Sequence, residues 1–316
     1  MRRLRLTVSG IVIAVAALAG CSSEPEPQLP QESPSLDGIA IFPPDNPWNT
    51  RVDGEPVDPA SDAIIASIGL DTPLHPDFGA DWNGGPFGIP YVVVPGDQPR
   101  VPVSFEYDDE SDPGPYPIPP DAPIEGGADA DGDRHILIVD RDARRLYELF
   151  AAYPDGQGWR AGSGAVFDLT SNALRPAGWT SADAAGLPIL PGLARYDEAV
   201  SAEGIRHALR FTVRHTRRAY VSPARHFASS STDPALPPMG MRVRLKASVD
   251  LSDFPPQARA VATALRTYGM LLADNGSDWY ISGAPDARWS DDDLRALARI
   301  TGQDLEVVRM GPLTTE

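Results

Sequence analysis

Proline is spread densely enough along this chain to veto most long regular elements: 34 of its 316 residues are proline and 28 more are glycine. Proline lacks a backbone donor and clashes with the preceding helical turn, so it breaks helix interiors and is confined to the edges and turns of sheets. Short strands joined by turn-rich loops are what such a sequence can build. Tyr91-Val92-Val93-Val94 is a continuous apolar run suited to a buried strand, and residues 101–107 alternate like a half-buried one. Residues 135–140 and 145–150 flank the polar turn Arg141-Asp142-Ala143-Arg144 and form the clearest hairpin. Further strands are expected at 165–168, 208–213, 242–248 and 278–281.

Helices are expected in few places. Residues 61–68 carry Ile64, Ile65 and Ile68 on one face behind Ser61 as a cap. Residues 256–273 align Val261, Leu265, Tyr268 and Leu272, and residues 290–300 begin with Ser290 three positions before Asp293. The irregular arm 41–60 is expected to insert Phe42 and Trp48 into a core, and residues 108–133 read as an ordered loop lining something. The fold class that follows is mainly β: a single sandwich or jelly-roll-like domain over residues 39–316, with a few short helices and long ordered loops.

The first forty residues point to export. Arg2, Arg3 and Arg5 precede the apolar run of residues 11–20, which is too short to span a bilayer and ends at Cys21. Residues 1–20 are thus expected to be a signal peptide. Leu18-Ala19-Gly20-Cys21 resembles the lipobox of bacterial lipoproteins, which implies diacylation of the Cys21 thiol and a lipid bilayer as partner. Cys21 is the only cysteine, so no internal disulfide can form. Residues 21–38 are expected to be the lipidated cysteine followed by a disordered spacer rich in proline and glutamate. The location implied is the cell envelope: the outer membrane in a diderm, where Ser22 rather than aspartate follows the cysteine, or the outer face of the cell membrane in a monoderm. The formal charge of −17 disfavours nucleic acid, whose phosphates need a basic surface.

Four segments concentrate polar groups beyond what a β domain needs. In Gly132-Asp133-Arg134-His135, period-two alternation puts Asp133 and His135 on one side, where a carboxylate can orient an imidazole. In residues 179–192, Thr180 or Ser181 is expected to cap a one-turn helix, leaving Asp183 ionised in its first turn. His207 shares the apolar side of the 205–213 strand, where a histidine is more often a satisfied core residue than a ligand. Asp274-Asn275-Gly276-Ser277-Asp278 gathers oxygens beside Trp279 and Tyr280, a pattern compatible with sugars or with a calcium ion. Zinc spacing patterns and glycine-rich phosphate loops are absent from the sequence, and Ser163 lacks the flanking glycines of a hydrolase elbow.

Gly132-Asp133-Arg134-His135, Leu146-Tyr147-Glu148-Leu149, residues 179–190, His207-Ala208-Leu209-Arg210 and residues 273–278 together resemble a family of secreted bacterial proteins with no established activity. The resemblance implies export and a shared fold, and it carries no catalytic role onto any residue. The expectation from the residues themselves is a carbohydrate-active protein that hydrolyses or binds polysaccharide. Asp133, His135, Asp183 and Asp274 are its candidate catalytic groups, and Arg134, Tyr147, Glu148, Trp179, His207, Asp278 and Trp279 its candidate ligand contacts. The alternative is a non-catalytic surface or periplasmic module whose polar motifs stabilise loops. No cofactor is required by either reading, calcium being the one candidate ion.

Overall fold

The computed structural model describes residues 31–36 and 38–315. The expected signal peptide, Cys21 and most of the spacer lie outside the described residues. Among the described residues no helix is long and apolar enough to cross a membrane.

Two sheets carry a mainly β, sandwich-like architecture. The smaller orders its strands Ser163–Asp168, Arg145–Phe150, Ile136–Asp140 and Tyr91–Val94; the first three are antiparallel and the last is added parallel. The predicted hairpin is therefore its centre. Its side chains alternate between two cores, as the pleat requires. Leu137, Val139, Leu146, Ala165 and Phe167 face the larger sheet. Ile136, Ile138, Tyr147 and Leu149 face a second core closed by Tyr116, Ile118, Ala122 and Ile124 from the proline-rich loop. Burial on both faces explains why residues 136–139 read as an unbroken apolar run.

The larger sheet has six strands in the order His75–Asp77, Tyr280–Ser282, Leu209–Val213, Met270–Asn275, Arg242–Leu245 and Leu305–Val307. It is mixed, with His75–Asp77 parallel to Tyr280–Ser282 and Leu209–Val213 parallel to Met270–Asn275. The helix Pro256–Thr267 lays Ala258, Val261, Ala262, Ala264 and Leu265 against it, small residues that let the helix approach closely.

Several expectations are corrected. The helix predicted to reach residue 273 stops at Thr267, because Gly269 adopts φ +69° and both Tyr268 and Gly269 donate to the Ala264 carbonyl. Leu272 then lies in a central strand. Ser290 does cap Asp293, but the α-helix is only Asp291–Arg295 and runs on as a tight 3₁₀ turn, Ala296–Arg299. The helix Ser61–Ile68 is as expected, although Ser61 spends its hydroxyl on the Val307 N–H rather than on a cap. Residues 180–186 are bends and turns, not a helix.

Phe42 and Trp48 are core residues. The chain before them, although predicted as spacer, is held against the body. Ala287 N–H donates to the Gln31 carbonyl, Ser33 bonds Asp286 and the Pro285 carbonyl, and the Tyr91 hydroxyl donates to the Pro34 carbonyl at 2.6 Å.

Candidate functional site

The polar motifs converge on one stretch of chain. Residues 181–190 run between the two sheets, and most of their side chains are fully buried. Backbone groups there cannot reach water, so each needs a partner. The smaller sheet supplies three. Ser163 Oγ donates to the Ser181 carbonyl at 2.6 Å, His135 Nε2 lies 3.1 Å from the Ala182 carbonyl, and Glu148 accepts from the Ile189 and Leu190 N–H groups at 2.9–3.0 Å. The larger sheet supplies two more. Asp274 accepts from Ala184 N–H at 3.2 Å, and Ala185 pairs with the Ala273 carbonyl.

Arg210 clamps the stretch from the side. Its Nε and Nη2 reach the two Asp183 oxygens at 2.7 and 2.5 Å, and Nη1 donates to Ser282 Oγ at 2.5 Å. Asp183 is wholly buried and Arg210 nearly so. Burial lowers the Arg210 pKa, but the charge and hydrogen bonds of Asp183 outweigh it and the net direction is up. Glu148 is pushed up to about 7 by burial, against the pull of the Leu190 and Ile189 N–H groups. Asp274 is pushed up to about 7 by burial and then by the nearby Asp183 charge.

The network opens toward a groove at its His135 end. His135 Nδ1 lies 2.6 Å from Glu125 Oε2, and Glu125 opens onto a groove of about 680 Å³ along the edge strand His75–Asp77. Burial lowers the His135 pKa, but the Glu125 charge and hydrogen bond, helped by Asp183, raise it to about 9. Burial raises Glu125, and His135 more than reverses that, leaving it below the ordinary carboxylate range. The Glu125 backbone N–H also donates to the His135 carbonyl at 3.0 Å, which fixes the residue's register. Behind it the loop is held by Arg134, whose guanidinium donates to the carbonyls of Ala128, Ala130 and Ala152 at 2.6–3.1 Å.

Asp77 lines the same groove, and its carboxyl receives no hydrogen bond from any described residue. Desolvation in the groove raises its pKa, and the nearby Glu125 charge adds to this while His75 opposes it. Flat side chains complete the groove. The His75 and Tyr280 rings stack with centroids 4.1 Å apart, and Trp82, 69 % exposed, stands beside Phe87 on the hairpin Gly79–Trp82 and Gly85–Phe87. Asp291, at the first turn of its helix, accepts from the Ala80 and Asp81 N–H groups and ties that hairpin down.

The candidate residues read from the sequence therefore separate. Asp133 is exposed and is not the partner of His135; that partner is Glu125, ten residues earlier. His135, Asp183, Glu148 and Asp274 do share one network, but beneath the groove rather than in it. Arg134 braces a loop. Tyr147 is buried, with Arg100 donating to its hydroxyl at 2.9 Å. Trp179 is half-buried beside the Arg175 guanidinium. Trp279 is sealed in the core, stacked on Phe211 and donating to the Gly69 carbonyl, so it offers no face to a ligand. Asp278 accepts from Arg214 N–H, and Asp274 from Asn275 as well as Ala184, so the oxygens expected to meet a calcium ion are engaged separately. Among the described residues no group of three or more histidine, cysteine, aspartate or glutamate side chains is arranged to hold a metal ion.

His207 lies in a second hollow of about 780 Å³, where Arg195, Glu198 and His207 satisfy one another at 2.5–3.1 Å. Missed from the sequence were Asp77, Glu125, Trp82 and the role of Arg210. The signal for Trp82 was present, since Asn83-Gly84 is a hairpin turn with both residues at positive φ. Comparison with protein-family models, curated proteins and solved structures finds no match to this chain.

Proposed function

We propose that this is an exported protein, tethered through acylated Cys21 at the cell envelope, whose edge groove takes polysaccharide. One observation carries the reading: Asp77 and Glu125 line one open groove together with the His75, Tyr280 and exposed Trp82 rings. Carboxylates accept hydrogen bonds from sugar hydroxyls, and rings pack against sugar C–H faces. Two carboxyl groups across a glycosidic bond are also what hydrolysis of that bond requires.

The test is a panel of soluble glycans titrated against the full chain. Trp82→Ala should weaken binding by about thirtyfold, the roughly 2 kcal/mol of a stacked aromatic anchor, while leaving the melting temperature near wild type because the ring is exposed. If no glycan binds, the reading fails. Export and anchoring are tested separately: Cys21→Ser should release the protein from the membrane fraction.

A second reading, a non-catalytic envelope module, is favoured by the motif side chains being spent on residues 181–190. Under it, Trp82→Ala changes no measured property.

A further inference from the structure

Carboxyl oxygens dominate the groove along His75–Asp77. Glu125 spends Oε2 on His135, and its Oε1 takes no hydrogen bond from any described residue. Asp81 and Asp291 face the same groove and are engaged only by backbone N–H groups, Asp81 by that of Gly84 and Asp291 by those of Ala80 and Asp81. With Glu125 and His135 counted as one neutral pair, the carboxyls of Asp77, Asp81 and Asp291 remain against one guanidinium, that of Arg295, which is ion-paired to Asp292. A sugar hydroxyl can donate to such a carboxyl, but an ammonium ion donates and also neutralises it. That attraction grows where water is partly excluded. Desolvation of Asp77 shows such exclusion in this groove. Ammonium ions are also held over aromatic faces, which Tyr280, stacked on His75, and exposed Trp82 present.

A basic peptide would bring the same charge, but the edge strand gives it no ladder to join. His75 N–H donates inward to the Trp279 carbonyl, so the backbone of the next residue faces the open edge. That residue is Pro76, which has no donor. An acidic polysaccharide would be repelled by the same carboxyls. We infer that the groove selects polysaccharide carrying free amino groups, its carboxyls meeting the ammonium ions and its rings the sugar faces. This rests on the polysaccharide reading above and names the substrate class within it. Each carboxyl acts on its own amine of the polymer, so the selection needs no contact between Asp77 and Glu125.

The experiment compares, on the full chain, soluble oligosaccharides of glucosamine with the same oligosaccharides fully N-acetylated, in a buffer where the free amines are protonated. The amino form should bind about tenfold more tightly or better, as one charge-assisted contact allows. Raising the salt from about 0.05 to 0.5 M should remove most of that preference by screening. Asp77→Asn replaces an exposed carboxyl that holds no hydrogen bond, so it should melt like wild type. It should lose most of the preference while binding the acetylated form as before. Because the whole chain is acidic, Asp62→Asn is the control: its carboxyl is exposed on the helix Ser61–Ile68, outside the groove, and the preference should survive its loss. A preference that the two substitutions leave unchanged, or weaken alike, belongs to net charge and overturns the inference. Equal binding of the two forms, or tighter binding of the acetylated one, overturns it while the polysaccharide reading stands. Oligolysine of matched charge that displaces the amino form as well as the free glycan does overturns it in favour of a basic peptide. If neither form binds while another glycan of the panel does, the inference falls and the reading stands; if no glycan binds, the reading beneath it falls too.

Discussion

The interior turns on the Asp183–Arg210 pair, because both partners are buried and, among the described residues, each is the other's only ion-pair partner. Asp183→Asn should cost about 3–5 kcal/mol in denaturant unfolding, the usual penalty for stranding one charge of a buried pair. Asp183→Leu combined with Arg210→Met should recover part of that loss; a single variant that unfolds like wild type would refute the assignment. The buried carboxyls set the pH dependence. Glu148 and Asp274 stand near 7, above an ordinary carboxylate near 4, so the folded state holds more protons than the unfolded one between about pH 4 and 7. Stability should therefore fall as pH rises through that window. His135, near 9, stabilises fully below about 6.5 and loses that contribution as pH rises through 9. Unfolding midpoints should decline from pH 5 to 9, and Asp274→Asn should flatten the decline below 7. His135 itself was legible in the sequence as a polar residue opening an apolar strand, but its partner was not. Period-two spacing points to Asp133, whereas the carboxyl that meets the ring arrives from a loop folded back by Arg134. Nothing in local periodicity encodes such a return.

Elements were read well where one local rule governed them. The strand Tyr91–Val94 and the hairpin of Ile136–Asp140 with Arg145–Phe150 follow from apolar runs and a polar turn. The overrun of the long helix has a definite cause: residues 268–272 keep the helical spacing, but Gly269 packs where a side chain cannot. A Cβ there would lie 2.5 Å from the Val243 carbonyl oxygen, and φ +69° is strained for any other residue. Gly269→Ala should destabilise by more than about 1 kcal/mol, checked by thermal unfolding, whereas glycine to alanine inside a helix normally stabilises. The same sequence stretch thus contains a helix-stop signal that a count of aligned apolar residues overrides. The 181–190 segment was misread for the complementary reason. Its capping residues are genuine, but they turn the chain through an irregular path whose backbone groups are satisfied by two sheets rather than by a helix.

For the molecule as a whole, the layered β architecture follows from proline density and strand length, while the mixed order of the larger sheet depends on which distant strands meet and has no local signature. Because one core joins faces of both sheets, with residues 181–190 sealed between them, the layers should lose structure together. Far-ultraviolet circular dichroism and tryptophan fluorescence should report one coincident transition; two separated midpoints would mean that the sheets unfold independently. The N-terminal arm bears on this in a mechanical way. Ser33 is fastened to Asp286, just past a strand of the larger sheet, and Pro34 to Tyr91, which opens a strand of the smaller. A pull applied to the chain upstream is therefore shared between both layers at two closely spaced rivets, and loads them in parallel rather than unzipping one strand from its end.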